Sequence, residues 1–464
     1  MDEKYSINLG DLKMVDANKK KIVVIGSGVS GMNVIFQLIK SGESFDLTCI
    51  TMEKVYDYST CGMPYVLEGV VPRAEDIILH KPEFFSEHGV RIFNETEVIN
   101  IDLDNQTVTI ATNQGGNENL HYDFLVIATG RVPFRPPMNG LELPGVYTLM
   151  NWEQCMALQD AMPNGKSAVI IGGGAIGLEL AMAFNTHNIE TTVVELTPTV
   201  LPMMLDPDMG ELVVDWLSTK GIKVLTDTKV AEILGTEHAK GVRLADGIEL
   251  PGDIIVLSTG IRPNIELASK IGLDIGSAGG IVTNGKQQVH KNNQLLENVF
   301  ALGDCVETTN LITGQSMISA LASTAILQAR TISDNIRGIS TELKGTINPA
   351  LTYLAGLQVG AVGLTSHTAK GAGIEVKSAT TMGKSQSRYI PGWKNIHFKF
   401  LAKEDKLIGA QIIGEKDVKE RINALTLAIR EGISIHTLLK TERCYTPPLA
   451  LLTDPMFKAL EKLI

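Results

Sequence analysis

The chain twice repeats one order of apolar and polar positions, and this order predicts a strand, a tight turn, a helix and a second strand. In both copies the opening run is short, β-branched and followed by glycine, which is typical of a strand buried in a parallel sheet. The predicted elements of the first copy are the strand Lys21–Ile25, the turn 26–31, a helix from Met32 to about Lys40 and the strand Asp46–Met52. Those of the second copy are the strand Ser167–Ile171, the turn 172–177, the helix Leu178–Phe184 and the strand Thr191–Glu195. The turns begin 172 − 26 = 146 residues apart, so the pattern indicates a duplicated nucleotide-binding unit and not a short-period repeat.

The two ends of the chain have other patterns. Residues 1–19 are polar without a clear period, and we predict that they form an extension. After about residue 345 the glycine-rich turns fade, and apolar runs predict strands over Ile396–Leu401 and Leu407–Ile413. A helical pattern over Val418–Glu431 follows. This end therefore has the pattern of a separate α+β domain.

Composition and charge narrow the possible functions. Apolar residues make up 44% of the chain and charged residues 20%, the usual balance of a globular protein with a large core. The net charge of −11 argues against nucleic acid or an anionic membrane surface as the main partner. No uncharged apolar run reaches about 18 residues, and the N-terminus does not resemble a signal peptide. We therefore expect neither a membrane-spanning helix nor export.

Cysteine and histidine positions refine this expectation. The five cysteines are odd in number and widely spaced, which is typical of a reduced, cytoplasmic protein and not of a disulfide-stapled secreted one. The nine histidines include no pair with metal-ligand spacing, so we expect no metal site.

Each turn has the spacing Gly-x-Gly-x-x-Gly between a buried strand and a helix. Such a turn binds a dinucleotide pyrophosphate, because glycine lets the backbone approach and the N–H groups that begin the helix face the phosphates. The glycines are Gly26, Gly28 and Gly31 in the first turn and Gly172, Gly174 and Gly177 in the second. Glu53 lies 53 − 31 = 22 residues after the first turn and Glu195 lies 195 − 177 = 18 after the second, both placed to bind an adenosine ribose. Two sites imply two dinucleotides, most simply a flavin and a nicotinamide nucleotide.

Glu195 also predicts which nicotinamide nucleotide binds. A carboxylate pairs with a ribose 2′-hydroxyl and repels a 2′-phosphate. No arginine cluster follows Glu195 in the sequence. We therefore expect NADH to be preferred over NADPH.

Three further segments carry a family resemblance. Phe124–Gly130 recurs in form as Ile254–Asn264, and Asn298–Cys305 follows. With the two turns, these segments resemble the FAD-dependent pyridine nucleotide–disulfide oxidoreductases from about residue 20 to the end. The resemblance implies that Asp304 bonds the ribityl chain of FAD. It also assigns Thr129, Gly130 and Gly260 to cofactor-binding segments.

The resemblance implies an α/β fold with two Rossmann-like dinucleotide-binding domains, as in glutathione reductase, and a C-terminal α+β dimerisation domain. The FAD-binding domain would comprise residues 20–147 and 268–336, and the NAD(H)-binding domain residues 148–267. The dimerisation domain would comprise residues 345–464, so we expect a homodimer.

The segment Tyr58–Tyr65 sets the subfamily. Lipoamide-dehydrogenase-like members carry two cysteines with four residues between them. Here the second of these positions holds Val66, so Cys61 has no local partner. The motif Cys-Gly-x-Pro-Tyr resembles that of coenzyme A–disulfide reductases and coenzyme A–persulfide or sulfur reductases. NADH oxidases and peroxidases are related. Three C-terminal segments agree with this group, namely Arg388–Gly392, Leu407–Gly414 and Cys444–Pro448.

Three positions depart from the pattern of these relatives. Cys61 follows Glu53 by eight residues where the family usually has ten, so either the loop is shortened or Glu53 is not the ribose ligand. Ile39 and Lys40 stand where coenzyme A–disulfide reductases often carry paired arginines. Val29 stands where NADH oxidases and peroxidases place a histidine, which argues against those activities.

The resemblance implies a reaction cycle. Electrons pass from NADH through FAD to Cys61, whose thiolate attacks the sulfur of a low-molecular-weight disulfide, persulfide or polysulfide. Tyr389 and Tyr445 either orient or protonate the leaving thiolate, or pack at a subunit contact. Two alternatives stay open: an NADH oxidase or peroxidase that cycles Cys61 through a sulfenic acid, and a non-catalytic flavoprotein that relays electrons.

Overall fold

The computed structural model of the protein describes residues 19–111 and 116–464. Of the predicted polar extension, residues 1–19, all but Lys19 lies outside the described residues. The described chain forms two α/β units and a C-terminal α+β unit, and this confirms the predicted fold class. Within these residues, no helix combines the length and the apolar character needed to cross a lipid bilayer.

The helices and strands are numbered in chain order. Up to residue 147 they are β1 (Lys20–Ile25), α1 (Val29–Lys40), β2 (Phe45–Ile50), α2 (Met63–Glu68), α3 (Pro82–Glu87), β3 (Val90–Phe93), β4 (Val98–Asp102), β5 (Thr107–Ala111), β6 (Asn117–His121), β7 (Phe124–Ile127), β8 (Arg131–Pro133) and β9 (Val146–Tyr147). The next are α4 (Trp152–Ala161), β10 (Ser167–Ile171), α5 (Ala175–Thr186), β11 (Glu190–Val194), α6 (Pro207–Thr219), β12 (Lys223–Leu225), β13 (Val230–Gly235), β14 (Ala239–Leu244), β15 (Glu249–Pro251), β16 (Ile254–Leu257), β17 (Ile261–Pro263) and α7 (Glu266–Lys270). Then come β18 (Gln288–Lys291), β19 (Gln294–Ala301), β20 (Thr308–Thr309), β21 (Ser316–Met317) and α8 (Ala322–Ile336). The last are β22 (Ala350–Leu354), β23 (Leu357–Gly363), α9 (Ser366–Gly371), β24 (Lys377–Lys384), β25 (Asn395–Lys403), β26 (Lys406–Gly414), α10 (Val418–Arg430), α11 (Ile435–Lys440) and α12 (Met456–Glu461).

The first unit is built on a six-stranded sheet with the order β18-β19-β7-β1-β2-β3. The strand β1 pairs in parallel with β2 and β7, so that Ile25 lies opposite both Ile50 and Ile127. Helix α1 covers the sheet and buries Ile35 and Leu38 completely. Each such side chain contributes about 1.5–3 kcal/mol of transfer free energy. The turn after β1 is thereby held at the carboxyl edge of the sheet, where α/β folds bind ligands.

The second unit repeats this arrangement in a five-stranded sheet of order β12-β11-β10-β16-β9. Here Ile171, the last residue of β10, lies opposite Val194 and Leu257. The predicted duplication is therefore confirmed. Both helices begin earlier than predicted, at Val29 and Ala175, because the last residues of each turn are already helical.

The C-terminal unit is an antiparallel sheet of order β22-β23-β26-β25-β24 with α10 packed on it. The strands β25 and β26 and helix α10 confirm the three elements predicted there. An ion-pair cluster joins this unit to the second one. Lys399 of β25 lies 3.0 Å from Asp206 and 2.6 Å from Asp208, at the start of α6. Asp206 also accepts bonds from the backbone N–H and hydroxyl of Ser366, at 2.8 and 2.7 Å.

Candidate active site

The two glycine turns have the same backbone geometry. The N–H of Gly26 donates to the carbonyl of Ile50, and that of Gly172 donates to the carbonyl of Val194, each at 2.8 Å. Both glycines have a positive φ, +109° and +112°, which L side chains rarely adopt. A Cβ on Gly26 would lie 2.2 Å from the carbonyl oxygen of Ala128. Glycine is therefore required where each strand turns into its helix.

The space in front of the turns fits a dinucleotide pyrophosphate. A Cβ added to Gly28 or to Gly174 would meet no atom within 4 Å, although both glycines cap a helix. The third glycines are packed tightly, since a Cβ on Gly31 or Gly177 would lie 2.0 or 2.2 Å from a carbonyl oxygen of its own turn. Open space at the N-terminus of a helix, bounded by N–H groups, suits an anionic group.

The predicted ribose-binding glutamates occupy different positions relative to the turns. Glu195 is the first residue after β11, and its N–H donates to Leu225 at 2.8 Å. In the first unit the residue with this bond is Thr51, whose N–H donates to Phe93 at 2.8 Å. Thr51, and not Glu53, therefore corresponds to Glu195. The sequence predicted that this strand ends at Met52, whereas β2 ends at Ile50, and this difference accounts for the shift.

The segment Phe124–Gly130 leads into β8, and the segment Ile254–Asn264 contains β17. The two short strands pair antiparallel where the chain crosses between the units. The hydroxyl of Thr129 donates to the carbonyl of Asn264 at 2.7 Å, and that of Thr259 donates to the carbonyl of Phe134 at 2.6 Å. These bonds fix the backbone beside Gly130 and Gly260, where each sheet meets the crossing strands. The role of these residues in cofactor binding stays a prediction.

Asp304 lies beside the first glycine turn. It follows Gly303, on which a Cβ would lie 2.2 Å from the hydroxyl of Ser30. Its carboxylate forms an ion pair with Arg131. No sequence pattern pointed to Arg131, although it directly follows Thr129-Gly130 in the motif. A carboxylate at this position suits the hydroxyl groups of a ribityl chain.

The segment that carries Cys61 lies between the two units. Cys61 is exposed and sits in the one-turn 3₁₀ helix Thr60–Gly62, which leads into α2. Helix α2 packs against α5 of the second unit. Before the cysteine, the phenol of the buried Tyr58 accepts a bond from the N–H of Trp152 at 2.9 Å. These contacts present the Cys61 thiol at the surface on a fixed backbone.

Three other cysteines are fully buried. Burial raises the pKa of the Cys49 thiol to about 12, with a smaller contribution from Asp57. It also raises the pKa of Cys155 to about 11 and that of Cys305. Because the thiolate is the nucleophile, these residues are inert toward external disulfides near neutral pH. Cys444 is exposed, in the C-terminal unit.

Tyr389 and Tyr445 meet on an exposed surface of the C-terminal unit. Interactions with Ser387 and with Tyr445 lower the pKa of Tyr389, and the interaction with Tyr389 raises that of Tyr445. The sequence placed these tyrosines in separate motifs 56 residues apart (445 − 389), and the structure brings them together. Their exposed fractions of 72% and 44% leave both available to a substrate or a second subunit.

Glu179 is a further ionisable group, close to the segment that carries Cys61, to which no sequence motif pointed. It lies on α5, and its carboxylate accepts a bond from the hydroxyl of Thr352 at 2.7 Å. Burial raises the pKa of Glu179. Burial also raises the pKa of Tyr65 to about 12, with contributions from the charges of Glu179 and Glu68. In the described residues, no group of three or more potential metal ligands occurs.

Known proteins share this architecture over nearly the whole chain. The chain is 36% identical to an NADH oxidase of Methanocaldococcus jannaschii over 95% of its own length and 98% of the relative's. It is 31% identical to a CoA-dependent NAD(P)H sulfur oxidoreductase of Pyrococcus furiosus, over 94% and 98%. The solved structure of an NAD-dependent persulfide reductase from A. fulgidus has a TM-score of 0.91 and 32% identity, covering 95% of this chain and 82% of that one.

Family models match both parts of the chain. The model for pyridine nucleotide-disulphide oxidoreductases matches residues 20–329, and that for the dimerisation domain of these enzymes matches residues 349–454. The chain therefore belongs to the pyridine nucleotide-disulphide oxidoreductases, a family that uses FAD and a nicotinamide nucleotide.

Proposed function

We propose that the protein uses NAD(P)H and FAD to reduce a low-molecular-weight disulfide, persulfide or polysulfide through the single cysteine Cys61. The observation that carries this proposal is the exposed thiol on the segment between the two dinucleotide units, while Cys49, Cys155 and Cys305 are buried. A pure electron relay needs no such thiol. The names of the sulfur and persulfide reductases among the similar proteins support the same reaction.

The chain's own chemistry in this reaction is thiol–disulfide exchange. The Cys61 thiolate attacks one sulfur of R–S–S–R′, forms the mixed disulfide Cys61–S–S–R and releases R′–S⁻. Two electrons and a proton then cleave the mixed disulfide to the Cys61 thiolate and R–SH. When bound, FAD supplies these electrons from the nicotinamide nucleotide. We assign FAD to the turn with Gly26, Gly28 and Gly31, together with Asp304, and NADH to the turn 172–177 with Glu195.

We propose that the protein acts as a homodimer in the cytoplasm. The matched dimerisation domain contains the pair Tyr389 and Tyr445, and the resemblance implies that such a tyrosine reaches the partner subunit's cysteine. The odd number and wide spacing of the cysteines support a reducing compartment. The domain limits 20–147 with 268–336, 148–267 and 345–464 belong to the same proposal.

The NADH oxidase of Methanocaldococcus jannaschii favours a second candidate function, reduction of oxygen with Cys61 cycling through a sulfenic acid. The sequence of the first turn weighs against it, because Val29 offers no ionisable side chain for peroxide chemistry. Oxygen consumption measured beside sulfur-substrate turnover separates the two candidates.

A stopped-flow panel tests the proposed function. Under anaerobic conditions, NADH loss is followed with coenzyme A disulfide, another small disulfide, coenzyme A persulfide and polysulfide in turn. We expect at least one sulfur compound to be turned over faster than oxygen in a parallel aerobic run. Turnover of oxygen alone would reject the proposal in favour of the oxidase.

Glu195→Arg is expected to shift the ratio of kcat/KM for NADH over NADPH by about tenfold or more toward NADPH. The Glu195 carboxylate lies where a 2′-phosphate would be repelled, and arginine binds phosphate well. The reversal of charge at Glu190→Arg, at the exposed start of the same strand, should leave the ratio unchanged. Equal kcat/KM for both nucleotides in the unmodified protein would contradict the assignment.

Tyr445→Phe is expected to slow sulfur-substrate turnover by about tenfold or more, since a positioned proton donor contributes roughly 10²–10⁴-fold. Mixed dimers test whether it acts across the subunits. A Cys61→Ser subunit supplies an intact Tyr445, and a Tyr445→Phe subunit supplies an intact Cys61. If the tyrosine serves the partner's cysteine, mixing the two variants raises activity above the sum of the separate homodimers. Activity that merely adds would assign Tyr445 to its own subunit.

A further inference from the structure

The two dinucleotide units differ where the glycine turn faces the end of the second strand. In the second unit Glu195 is buried, and its Oε2 accepts a bond from the N–H of Gly173 at 2.6 Å. Its Oε1 accepts bonds from the N–H and the hydroxyl of Thr197, both at 2.8 Å. The carboxylate is therefore fixed with its remaining lone pairs available to ribose hydroxyls.

In the first unit two hydroxyl groups stand at the positions of Gly173 and the Glu195 carboxylate. Ser27 corresponds to Gly173 and Thr51 to Glu195, and the Ser27 hydroxyl donates to Thr51 Oγ1 at 2.9 Å. The N–H of Glu53 donates to the same oxygen at 3.2 Å. Because Thr51 Oγ1 accepts both bonds, its own proton remains a donor. Both residues are buried, with exposed fractions of 3% and 6%.

A glutamate at the strand end and a side chain in the facing turn position would compete for the same space. A Cβ added to Gly173 would lie 3.2 Å from Glu195 Cβ and 3.3 Å from its Oε2, which is tighter than an ordinary contact. A side chain at that turn position therefore crowds a glutamate at the strand end. The first unit has the opposite combination, with a side chain in the turn and the shorter threonine opposite it.

Glu53 is committed to other partners. It corresponds to Thr197, and its carboxylate interacts with the phenol of Tyr58. Burial raises the pKa of Glu53. Since Tyr58 also accepts a bond from Trp152 at 2.9 Å, Glu53 belongs to the contacts that hold the segment before Cys61.

From this comparison we infer that Ser27 and Thr51 bind the adenosine ribose of FAD with neutral hydroxyls, in place of the carboxylate that Glu195 supplies in the other unit. The inference rests on the proposed function, which assigns FAD to the first turn. It resolves the spacing of Glu53 and Cys61, because Thr51 lies 61 − 51 = 10 residues before the cysteine. A neutral pair also lets the ribose hydroxyls both donate and accept, whereas a carboxylate only accepts.

Binding of flavins to the apoprotein tests this inference without an activity assay. Quenching of flavin fluorescence gives dissociation constants for FAD and for FMN, which lacks the adenosine. We expect Thr51→Val to weaken FAD binding about fivefold, the worth of one neutral hydrogen bond, and to leave FMN binding unchanged. Thr51→Ser, which keeps the hydroxyl, and Glu53→Gln should both bind FAD like the unmodified protein.

Exchange of the pair provides the second arm. Thr51→Glu alone should weaken FAD binding, because Ser27 crowds the new carboxylate. Adding Ser27→Gly recreates the arrangement of the second unit, and the double variant should bind FAD at least tenfold more tightly than the Thr51→Glu single variant. Unchanged FAD affinity in Thr51→Val, together with a loss in Glu53→Gln, would overturn the inference and make Glu53 the ribose ligand. Unmodified apoprotein that takes up no FAD would instead reject the proposed function.

Discussion

Cys61→Ser is expected to lower sulfur-substrate turnover by about 10³-fold or more while FAD binding stays intact. Serine's hydroxyl stays protonated near neutral pH and is a poor nucleophile toward sulfur, and the buried Cys49, Cys155 and Cys305 cannot replace the lost thiol. NADH should still bleach the bound flavin, because that step needs only the two nucleotide sites. Anaerobic stopped-flow traces with and without the sulfur substrate measure both steps.

Cys444→Ser is the matched control, since Cys444 is the other exposed thiol of the described chain. It should retain near-normal sulfur-substrate turnover and flavin bleaching. If Cys61→Ser kept its turnover and Cys444→Ser lost it, the nucleophile would be Cys444, and the proposed mechanism would have to be abandoned.

Lys399→Met is expected to destabilise the protein by about 3–5 kcal/mol, because it leaves the Asp206 carboxylate uncompensated. The side chain of Asp206 is 2% exposed and that of Lys399 is 11% exposed. Lys394→Met is the matched control, since its partner Glu415 lies at a comparable 2.6 Å but the two side chains are 43% and 30% exposed. That surface pair should contribute about 0–1 kcal/mol. Urea unfolding of the flavin-loaded variants, followed by tryptophan fluorescence, measures the difference.

The effect of Lys399→Met should have a defined pH dependence. Burial alone would raise the pKa of Asp206, but the bonds from Ser366 and Lys399 and the charge of Lys399 lower it overall. A carboxyl group with a lowered pKa stabilises the fold above its unfolded pKa of about 3.9, and this stability is lost as the pH falls through the folded value. In Lys399→Met the effect of burial on the pKa of Asp206 is no longer opposed by Lys399. The difference from the unmodified protein should therefore be largest at neutral pH and shrink as the pH falls toward and below the unfolded pKa of about 3.9. If Lys399→Met lowered the free energy of unfolding at neutral pH by no more than Lys394→Met does, the prediction for the buried ion pair would be wrong.

The glycine turns and their flanking elements could be predicted from the sequence because their signals are local. The strand β1, the turn 26–31 and helix α1 are contiguous, and only glycine tolerates the positive φ of Gly26. Spacing alone could not show which residue of the first unit corresponds in position to Glu195. An acid 22 residues after Gly31 satisfies the usual count, but the hydrogen bond of Thr51 to Phe93 shows where β2 ends.

Contacts between distant segments could not be predicted. Asp206 and Lys399 are 399 − 206 = 193 residues apart, and nothing in either segment indicates the other. The hydrogen bond between Glu179 and Thr352 likewise joins segments that are distant in the sequence. Tyr389 and Tyr445 were identified only through separate motifs, and their proximity follows from the fold of the C-terminal unit.

The packing of α2 on α5 limits how this chain can be recombined with its relatives. By position in the sequence α2 belongs to the first unit, yet Met63, Val66 and Leu67 share their hydrophobic cluster with residues of the second. A chimaera that exchanges residues 148–267 alone would place α2 against a foreign surface and disturb the thiol segment. Functional exchange of the second unit therefore requires α2 to be transferred with it, and natural variation in the two segments should be correlated.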